Sequence, residues 1–551
     1  MEPESNEGLH GHAFDGISEP KSEVEQEELD LGIEQPKDGD RDIVYIQGPK
    51  FWLISAAVAI MMFMVNFEVP VVVTALVSIT NDLGGFNNVS WVVSAYLLGY
   101  VAVIVIFAKF SDIFGRKPIF LLSILIFIIF SAACSASQTI VQLAVFRALQ
   151  GVGGGGCWSL ATIFVIELVP PEKYTKYISN ISIVNALALL LGPIVGGAIA
   201  SGTSWRWIFI INVPICVPAF IIAIVAIPNG FPYGDRPKYR REAVTSSPLG
   251  RIDILGTVLI LLATLALTSG FEEADKDFPW RSGYVISLLT ISGLLWIALV
   301  FWERHVTRAN GAREPILPWR FLTNRHMMGV LLNLLFLGGP TIVSMFIIPQ
   351  RFELVYNTSG LEAGVRLIPY TALLPIGSII GSILAGKHIP LVYLLLFGSI
   401  LQVIAFAVLG TLPSILTIPP RIYGLEVVAG LGCGSNFALL FTMIPFVIER
   451  FDNATGMGTG SQIRMMGSSI VLAIATSVSN TFLRPQLQAL LGISDTNAIS
   501  TLLPTLSPEL QDQVRLVLAE SYNREVLVLC VSAALQVPAS LMMWRKTQLT
   551  I

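Results

Sequence analysis

Apolar runs of about twenty residues recur along the whole chain, and this feature constrains the fold more than any other. At ~1.5 Å of rise per residue, such a run crosses the ~30 Å hydrocarbon core of a bilayer as one helix. Only 13% of the 551 residues are charged, about half of the roughly 25% that is usual in soluble domains. The sequence therefore predicts an all-α polytopic membrane protein with fourteen transmembrane helices and excludes an ordinary soluble enzyme. The predicted spans are 51–76, 90–108, 118–136, 139–162, 178–200, 207–227, 253–270, 284–302, 328–349, 362–385, 390–410, 421–446, 463–481 and 525–544.

Lysine and arginine are distributed unevenly between the two sides of the predicted membrane. With a cytoplasmic N-terminus, 24 of the 34 fall in inner segments, Arg464 among them; 8 fall in outer segments, and Arg147 and Arg366 lie within spans. Because cytoplasmic loops carry an excess of these residues, the bias predicts that both termini are cytoplasmic. Residues 1–50 hold 14 acidic and 4 basic residues, which is typical of a disordered acidic tail and gives no support for nucleic-acid binding.

The turn after the second span carries a compact group of charges within the string AKFSDIFGRKP, which starts at position 108. Asp112, at a helix end, can accept backbone amides of the following helix N-terminus. Gly115 permits a tight turn, and Arg116 and Lys117 satisfy the positive bias of the inner side. A charged latch of this kind would hold one conformation and release in another, whereas the alternative is a plain basic turn.

Three further strings lie on later spans. Span 4 contains LAVFRALQGVG from position 143, and WRWIFIINVP from position 205 leads into span 6. Span 5 contains GPIVGG, in which Pro193 removes a backbone hydrogen bond and kinks the helix. Gly192, Gly196 and Gly197 would let a neighbouring helix approach closely. Such a sealed interface would limit ion leak, and ordinary helix packing is the alternative.

These strings together resemble the signatures of the major facilitator superfamily. The family's turn between spans 2 and 3 reads Gly-x-Leu-Ala/Ser-Asp-x-x-Gly-Arg-Lys; Ala108 and Phe110 replace its first glycine and leucine, while the charged positions match. Span 4 is similar to the family's Leu-x-x-x-Arg-x-x-Gln-Gly-x-Gly, and span 5 to the motif shared by its antiporters. With fourteen spans, the chain most resembles the drug–proton antiporter branch, and within it the fungal efflux pumps.

The resemblance implies a major facilitator fold, in which two six-helix bundles are related by a pseudo-twofold axis along the membrane normal. Spans 7 and 8 would be an insertion between them. The implied division is an acidic cytoplasmic tail 1–50, an N-terminal bundle 51–227, a cytoplasmic linker 228–252, two inserted spans 253–302, a cytoplasmic loop 303–327 and a C-terminal bundle 328–551. A long outer loop is predicted at 482–524, with a short helix at 504–518. Asn88 and Asn357 are formal N-glycosylation acceptors on the outer side.

Two charged residues lie deep within predicted spans. Glu68 and Arg147 are each about eight residues from the outer end of their span, roughly 12 Å below the surface. An ionisable side chain in a span costs at least ~2.5 kcal/mol on insertion, so it needs a partner or a purpose. Equal depth makes a pair possible, and the resemblance places their spans side by side. We expect a proton-coupling switch here, with a static buried pair as the alternative. Glu426, near the outer start of span 12, is a second candidate for this role, but its shallow position favours the interpretation as a hydrated acid.

The remaining polar residues inside spans are amides, which either line a substrate cavity or join helices in lipid. They are Asn66, Gln150, Asn185, Asn333 and Asn436. Because the spans bring few acids into the membrane, we expect a cavity for a hydrophobic or weakly polar compound that is neutral or weakly cationic.

The resemblance implies secondary active export of a drug, toxin or other secondary metabolite at the plasma membrane, by proton antiport with alternating access. A vacuolar transporter of basic amino acids or siderophores is one alternative, and a non-transporting receptor or sensor is another. The sequence shows no nucleophile–base set, no metal-ligand spacing and no ATP-binding Gly-x-x-x-x-Gly-Lys-Ser/Thr. Neither enzymatic activity, nor a metal or other cofactor, nor ATP is therefore expected. The expected partners are the small-molecule substrate and the bilayer, and the expected state is a monomer.

Overall fold

The computed structural model describes residues 45–84, 90–232, 248–275, 278–309, 313–492, 502–545 and 549–550. This part of the chain contains fourteen helices that are long and apolar enough to cross a membrane, and its β-structure is limited to isolated bridges. The membrane helices are α1 Pro49–Val73, α2 Trp91–Phe114, α3 Arg116–Ser135, α4 Ile140–Glu167, α5 Pro171–Ala200, α6 Arg206–Ala226, α7 Ile254–Glu273, α8 Gly283–Ala309, α9 Arg325–Leu354, α10 Glu362–Ala385, α11 Leu391–Leu409, α12 Arg421–Val447, α13 Arg450–Leu491 and α14 Pro508–Met542. The predicted all-α class and number of spans are confirmed.

Some of these helices are interrupted, and short helices lie between them. Within α6, Ile211 separates Arg206–Ile210 from Asn212–Ala226. Within α9, Gly339–Val343 forms one π-helical turn that contains a proline, and such turns are frequent at functional sites. Short helices also form at Leu76–Leu83 and Trp319–Thr323.

The first six helices and the last six pack in the same way, so that each helix of the first half corresponds to the helix numbered eight higher in the second half. In the first half α2 and α3 pack on α4, and α1 packs on α5; in the second half α10 and α11 pack on α12, and α9 packs on α13. The glycines at these crossings repeat as well. A Cβ at Gly151 would clash with the carbonyl oxygen of Tyr96, and a Cβ at Gly430 would meet that of Tyr370. The two halves are therefore internally repeated six-helix bundles.

The two bundles are held together at one face. Short connections make consecutive helices antiparallel, so odd-numbered helices begin, and even-numbered helices end, at the face that we call the N-terminal face. The charge bias predicts that this face is cytoplasmic. Ser179 of α5 donates to the carbonyl of Ser378 on α10 over 3.0 Å, and the amide of Val105 on α2 donates to Gln462 of α13 over 3.1 Å. Both contacts lie in the halves of these helices nearer the N-terminal face, so the bundles are closed there.

The inserted helices α7 and α8 pack on each other, and α7 also packs on α2 and α13. The segment after α8 is tied to the first bundle by charge, because Glu314 contacts Lys109 of α2 at 2.8 Å and accepts a hydrogen bond from Arg251 at 2.9 Å. Burial alone would raise the pKa of Glu314, but the two cations together hold it below its ordinary value. The carboxylate is therefore charged at neutral pH.

The connection between α13 and α14, which the charge bias predicts on the outer side, is much shorter than the predicted loop. Helix α13 continues to Leu491 and α14 starts at Pro508, so most of the predicted loop 482–524 is helical. The prediction of a separate helix at 504–518 is wrong, because residues 508–518 continue without a break into the membrane part of α14, and a short 3-10 turn at Leu503–Thr505 precedes them. Helix α13 also begins 13 residues before the predicted span, at Arg450.

Candidate functional site

Glu68 and Arg147 are in direct contact in the interior of the first bundle. Glu68 lies on α1 and Arg147 on α4, and both side chains are completely buried. Arg147 Nη1 donates to Glu68 Oε1 over 2.6 Å. The ion pair between Glu68 and Arg147, which their equal depth in the sequence made possible, is therefore formed. The contact alone does not assign the pair a role.

Two amide side chains complete the hydrogen bonding of the Glu68 carboxylate. Gln150, one turn after Arg147 on α4, donates to Oε1 over 3.0 Å, and Asn212 of α6 donates to Oε2 over 2.7 Å. Gln150 also donates to the hydroxyl of Ser131 on α3 over 2.7 Å. Both carboxylate oxygens thus have donors, and the site joins α1, α3, α4 and α6.

Arg147 has partners besides the carboxylate. Its Nε donates to the backbone carbonyl of Val92 over 2.9 Å, and its Nη1 reaches Gln150 Oε1 at 2.8 Å. The guanidinium carbon lies 4.3 Å from the centre of the Tyr96 ring and 5.6 Å from that of Phe209, where the negative ring faces attract a cation. Arg147 would therefore remain partly stabilised if Glu68 lost its charge.

Asn212 and Ser131 are site residues that the sequence analysis missed. Asn212 is the last polar residue of the string WRWIFIINVP, and Ser131 lies in a long apolar run. A polar residue inside a membrane helix is a signal for such a role. Which helices would share it, however, depends on packing that one sequence does not reveal.

The glycine-rich string of α5 packs on α1 just beyond Glu68. A Cβ at Gly192 would lie 2.8 Å from Pro70 Cβ, and a Cβ at Gly196 would clash with Thr74 Oγ1 and lie 2.5 Å from the carbonyl oxygen of Val71. The predicted close approach is therefore present at both positions. The prediction is wrong for Gly197, where a Cβ would meet no atom of a neighbouring helix within 4 Å among the described residues. Pro193 lies inside α5, as expected.

The amides proposed as cavity residues fall into two groups. Asn66 of α1 donates to Asn185 of α5 over 3.0 Å, and both are only partly buried, so they remain available to a ligand. Asn333 and Asn436 are completely buried. Asn333 accepts a hydrogen bond from Ser540 of α14, and Asn436 donates hydrogen bonds to side chains of α11 and α14. These two amides join helices of the second bundle, and Gln150 belongs to the Glu68 site.

The charged string after α2 forms a compact cluster at the N-terminal face. Arg116 is buried, contacts Asp112 at 2.6 Å and binds Glu167 of α4 at 2.6 Å and 3.0 Å. Asp112 in turn accepts a hydrogen bond from Thr455 of α13 over 3.2 Å, so this acid contacts the second bundle. Gly115 has a φ of 100°, which favours glycine.

Other residues of interest lie outside these clusters. Lys117, next to Arg116, is half-buried. Asn357 is exposed and accepts a hydrogen bond from Arg515 over 2.8 Å. Asn88, like residues 1–44 of the acidic tail, lies outside the described residues.

The interpretation of Glu426 as a hydrated acid is wrong. Its side chain is completely buried, and neither carboxylate oxygen has a hydrogen-bond partner among the described residues. Glu426 precedes Gly430 by four residues, just as Arg147 precedes Gly151, so it occupies the equivalent place in the second bundle. An isolated charge in such a place is strongly disfavoured, so we infer that this acid is neutral in the present conformation.

Comparisons with known proteins place these features in a family. The family model described as Major Facilitator Superfamily matches residues 52–475. The chain is 37% identical over 505 residues to the MFS-type transporter FPY5 of Fusarium mangiferae, which covers 91% of this chain and 85% of that protein. It is 29% identical to the efflux pump FUS6 of Gibberella fujikuroi, over 79% of this chain and 76% of the pump.

A solved structure supports the same fold. The proton:xylose symporter XylE superposes with a TM-score of 0.54 at 14% sequence identity, over 90% of this chain and 95% of the symporter. At this identity the similarity shows the fold alone. It confirms the predicted arrangement of two six-helix bundles, to which α7 and α8 are added.

Proposed function

The chain belongs to the major facilitator superfamily, and we propose that it exports a small organic molecule in exchange for protons. Membership makes it a multi-pass membrane transporter, and it is not an enzyme. Export is supported by the relative named an efflux pump. Proton coupling is supported by the site around Glu68. The proposed export function implies the plasma membrane. The charge bias favours an orientation with both termini cytoplasmic.

Glu68 is the group that we propose carries the proton. Complete burial favours the neutral acid, whereas the donors Arg147, Gln150 and Asn212 favour the carboxylate. These opposing effects leave the protonation state sensitive to small changes in surroundings. Opening of the site to water on one side would admit a proton, and opening on the other side would release it.

Asn212 suits both protonation states of Glu68. Its Nδ2 donates to the carboxylate, while its Oδ1 has no hydrogen-bond partner among the described residues. An amide that turns by half a revolution presents its carbonyl in place of its NH2 group. A protonated Glu68 would then donate its new O–H to Asn212. The hydrogen bond survives protonation with its direction reversed.

Helix α5 supplies a physical connection between this site and the contact of the bundles. It packs on α1 through Gly192 and Gly196, one to two turns from Glu68, and on α10 through Ser179. A shift of α1 on protonation would therefore move a helix that also forms the closed face. This is the step by which we propose that protonation changes access.

The observation that carries the proposal is a fully buried Glu68 side chain in which the charge is matched by Arg147 and the partner Asn212 can fit either protonation state. It is tested with the full-length chain reconstituted in liposomes that contain a pH-sensitive dye. A panel of small aromatic compounds is added under an imposed proton gradient. At least one compound should accumulate against its own gradient and dissipate the pH difference, and a protonophore should abolish the accumulation. Accumulation that is unaffected by the protonophore would contradict proton antiport.

A further inference from the structure

Arg464 lies in the membrane interior, whereas the sequence analysis counted it with the inner segments, at the very start of the predicted span 463–481. It is the fifteenth residue of α13, about 20 Å along the helix from its start. A Cβ at Gly338, near the middle of α9, would clash with its backbone oxygen. Its side chain is 5% exposed. A cation at this depth needs a partner or a purpose.

Among the described residues, no acidic side chain pairs with Arg464. Within the described ranges, its guanidinium makes neither an ion pair nor a hydrogen bond, and its buried Nε is unsatisfied. The contacts that it does make are with aromatic rings, 6.0 Å from the centre of Trp158 and 5.3 Å from that of Phe437. Arg147 offers the contrast, because its charge is matched by Glu68 at 2.6 Å.

The unsatisfied polar groups around Arg464 can all donate hydrogen bonds. Arg464 Nε, Trp158 Nε1 and the hydroxyl of Ser461 are buried and have no hydrogen-bond partner among the described residues. Ser461 lies one turn before Arg464 on the same side of α13. Guanidinium and indole nitrogens can only donate, and a hydroxyl can donate. The hydroxyl can also accept, but among the described residues the cluster holds no negatively charged acceptor that would match the arginine.

This cluster spans the two bundles. Trp158 belongs to α4 of the first bundle, whereas Ser461, Arg464 and Phe437 belong to the second. On the N-terminal side it is closed off by the hydrogen bond between Val105 and Gln462. A ligand held here would touch both halves, which is where alternating access requires the substrate to lie.

We propose that Arg464, Trp158 and Ser461 form the binding site for an acidic group of the substrate, which would then be an aromatic organic acid. The carboxylate or other oxyanion would pair with the guanidinium and accept from Trp158 and Ser461, while its ring would pack on Trp158 and Phe437. This inference rests on the proposed export function and specifies its substrate class. It departs from the neutral or weakly cationic substrate expected from the sequence, because that expectation rested on the few acids within spans and counted Arg464 with the inner segments.

The test compares acids with their neutral amides on the purified full-length chain. The probes are three pairs of equal shape: 2-naphthoate and 2-naphthamide, biphenyl-4-carboxylate and its amide, and pyrenebutyrate and its amide. Binding is measured by titration calorimetry at pH 8, where the acids are ionised. We expect at least one acid to bind about tenfold to a hundredfold more tightly than its amide, the range for a hydrogen bond to a charged group.

The variant Arg464→Gln should remove this preference, and Arg464→Lys should retain part of it because it keeps the charge. The matched control is Arg351→Gln, which replaces another buried arginine whose hydrogen-bond partner, Asn523, lies in the same bundle. The control should keep the full preference. Thermal unfolding of each variant shows that it is folded.

Equal binding of acid and amide by the wild type in all three pairs would overturn the proposal. So would a preference that survives in Arg464→Gln. Binding needs neither a gradient nor transport, so a failure of proton antiport leaves this result intact. Conversely, proton-driven export of the amides without any preference for acids would overturn the acidic-group site alone.

Discussion

Removal of Arg116 at the N-terminal face should destabilise the first bundle in a way that depends on pH. Arg116 is the cation between Asp112 on α2 and Glu167 on α4, whose side chains are 12% and 10% exposed. In Arg116→Ala, two carboxylates would face each other in a nearly buried place. Breaking a buried pair by removing one partner typically costs about 3–5 kcal/mol.

Protonation sets a ceiling on this penalty. Once Arg116 is gone, the two acids can share one proton and form a hydrogen bond between themselves. Protonating an acid with an ordinary pKa of about 4.3 at pH 7 costs about 3.7 kcal/mol, at 1.36 kcal/mol per pH unit. We therefore expect a loss of about 3–4 kcal/mol at pH 7. Because protonation becomes easier as the pH falls, the loss should decrease to about 1 kcal/mol at pH 5.

The assay is thermal unfolding of the purified full-length chain at pH 7 and pH 5, each variant compared with wild type at the same pH. Lys117→Ala is the matched control, since this neighbouring cation is half-buried and outside the cluster. The control should have the same unfolding temperature as wild type at both pH values. A destabilisation of Arg116→Ala that is equal at the two pH values would refute the electrostatic reasoning, because loss of packing alone does not depend on protonation.

Three other substitutions test further parts of the structure. Gly196→Ala should lower stability by about 1–3 kcal/mol, because its Cβ meets backbone atoms of α1, whereas Gly197→Ala should not; equal unfolding temperatures would contradict this close contact. Glu426→Gln should change stability by less than about 1 kcal/mol, since an amide resembles a neutral acid, and a much larger loss measured by denaturation would show that the acid is charged. Asp112→Ala should leave abundance unchanged, because Arg116 keeps its ion pair with Glu167, but it should slow transport severalfold, because it loses the hydrogen bond from Thr455 of the other bundle; full transport would show that this contact has no part in the cycle.

The number and order of the helices were predictable, because the thickness of a bilayer fixes the length of each apolar run. The depth of Glu68 and Arg147 was predictable for the same reason. Their partners Asn212 and Ser131 were not, since these depend on which helices are neighbours. Depth along a helix does not reveal which neighbouring helices bury a side chain either. The prediction that Glu426 is hydrated was wrong for this reason.

The error at Arg464 has a different cause. The first part of α13 is rich in glycine, serine and threonine, in the string NATGMGTGSQ from position 453, and such a segment resembles a loop by hydropathy. In the structure these small residues let α13 pack closely on its neighbours, as where a Cβ at Gly458 would lie 2.7 Å from Ala108 Cβ. Tertiary packing, not local preference, makes this segment helical and carries Arg464 into the membrane.

The most direct test of the central claim is Glu68→Gln, assayed in liposomes for abundance, for proton-driven export and for exchange of substrate across the membrane. The introduced amide resembles the protonated acid in size and hydrogen bonding, and Asn212 can turn to accept from it. Glu303→Gln is the matched control, because Glu303 is equally buried but lies on the inserted helix α8. We predict that Glu68→Gln is abundant, exchanges substrate and has lost proton-driven export, while Glu303→Gln retains both activities. A Glu68→Gln protein that exports with normal pH dependence would contradict the proton switch, and one that is lost from the membrane would indicate a purely structural pair.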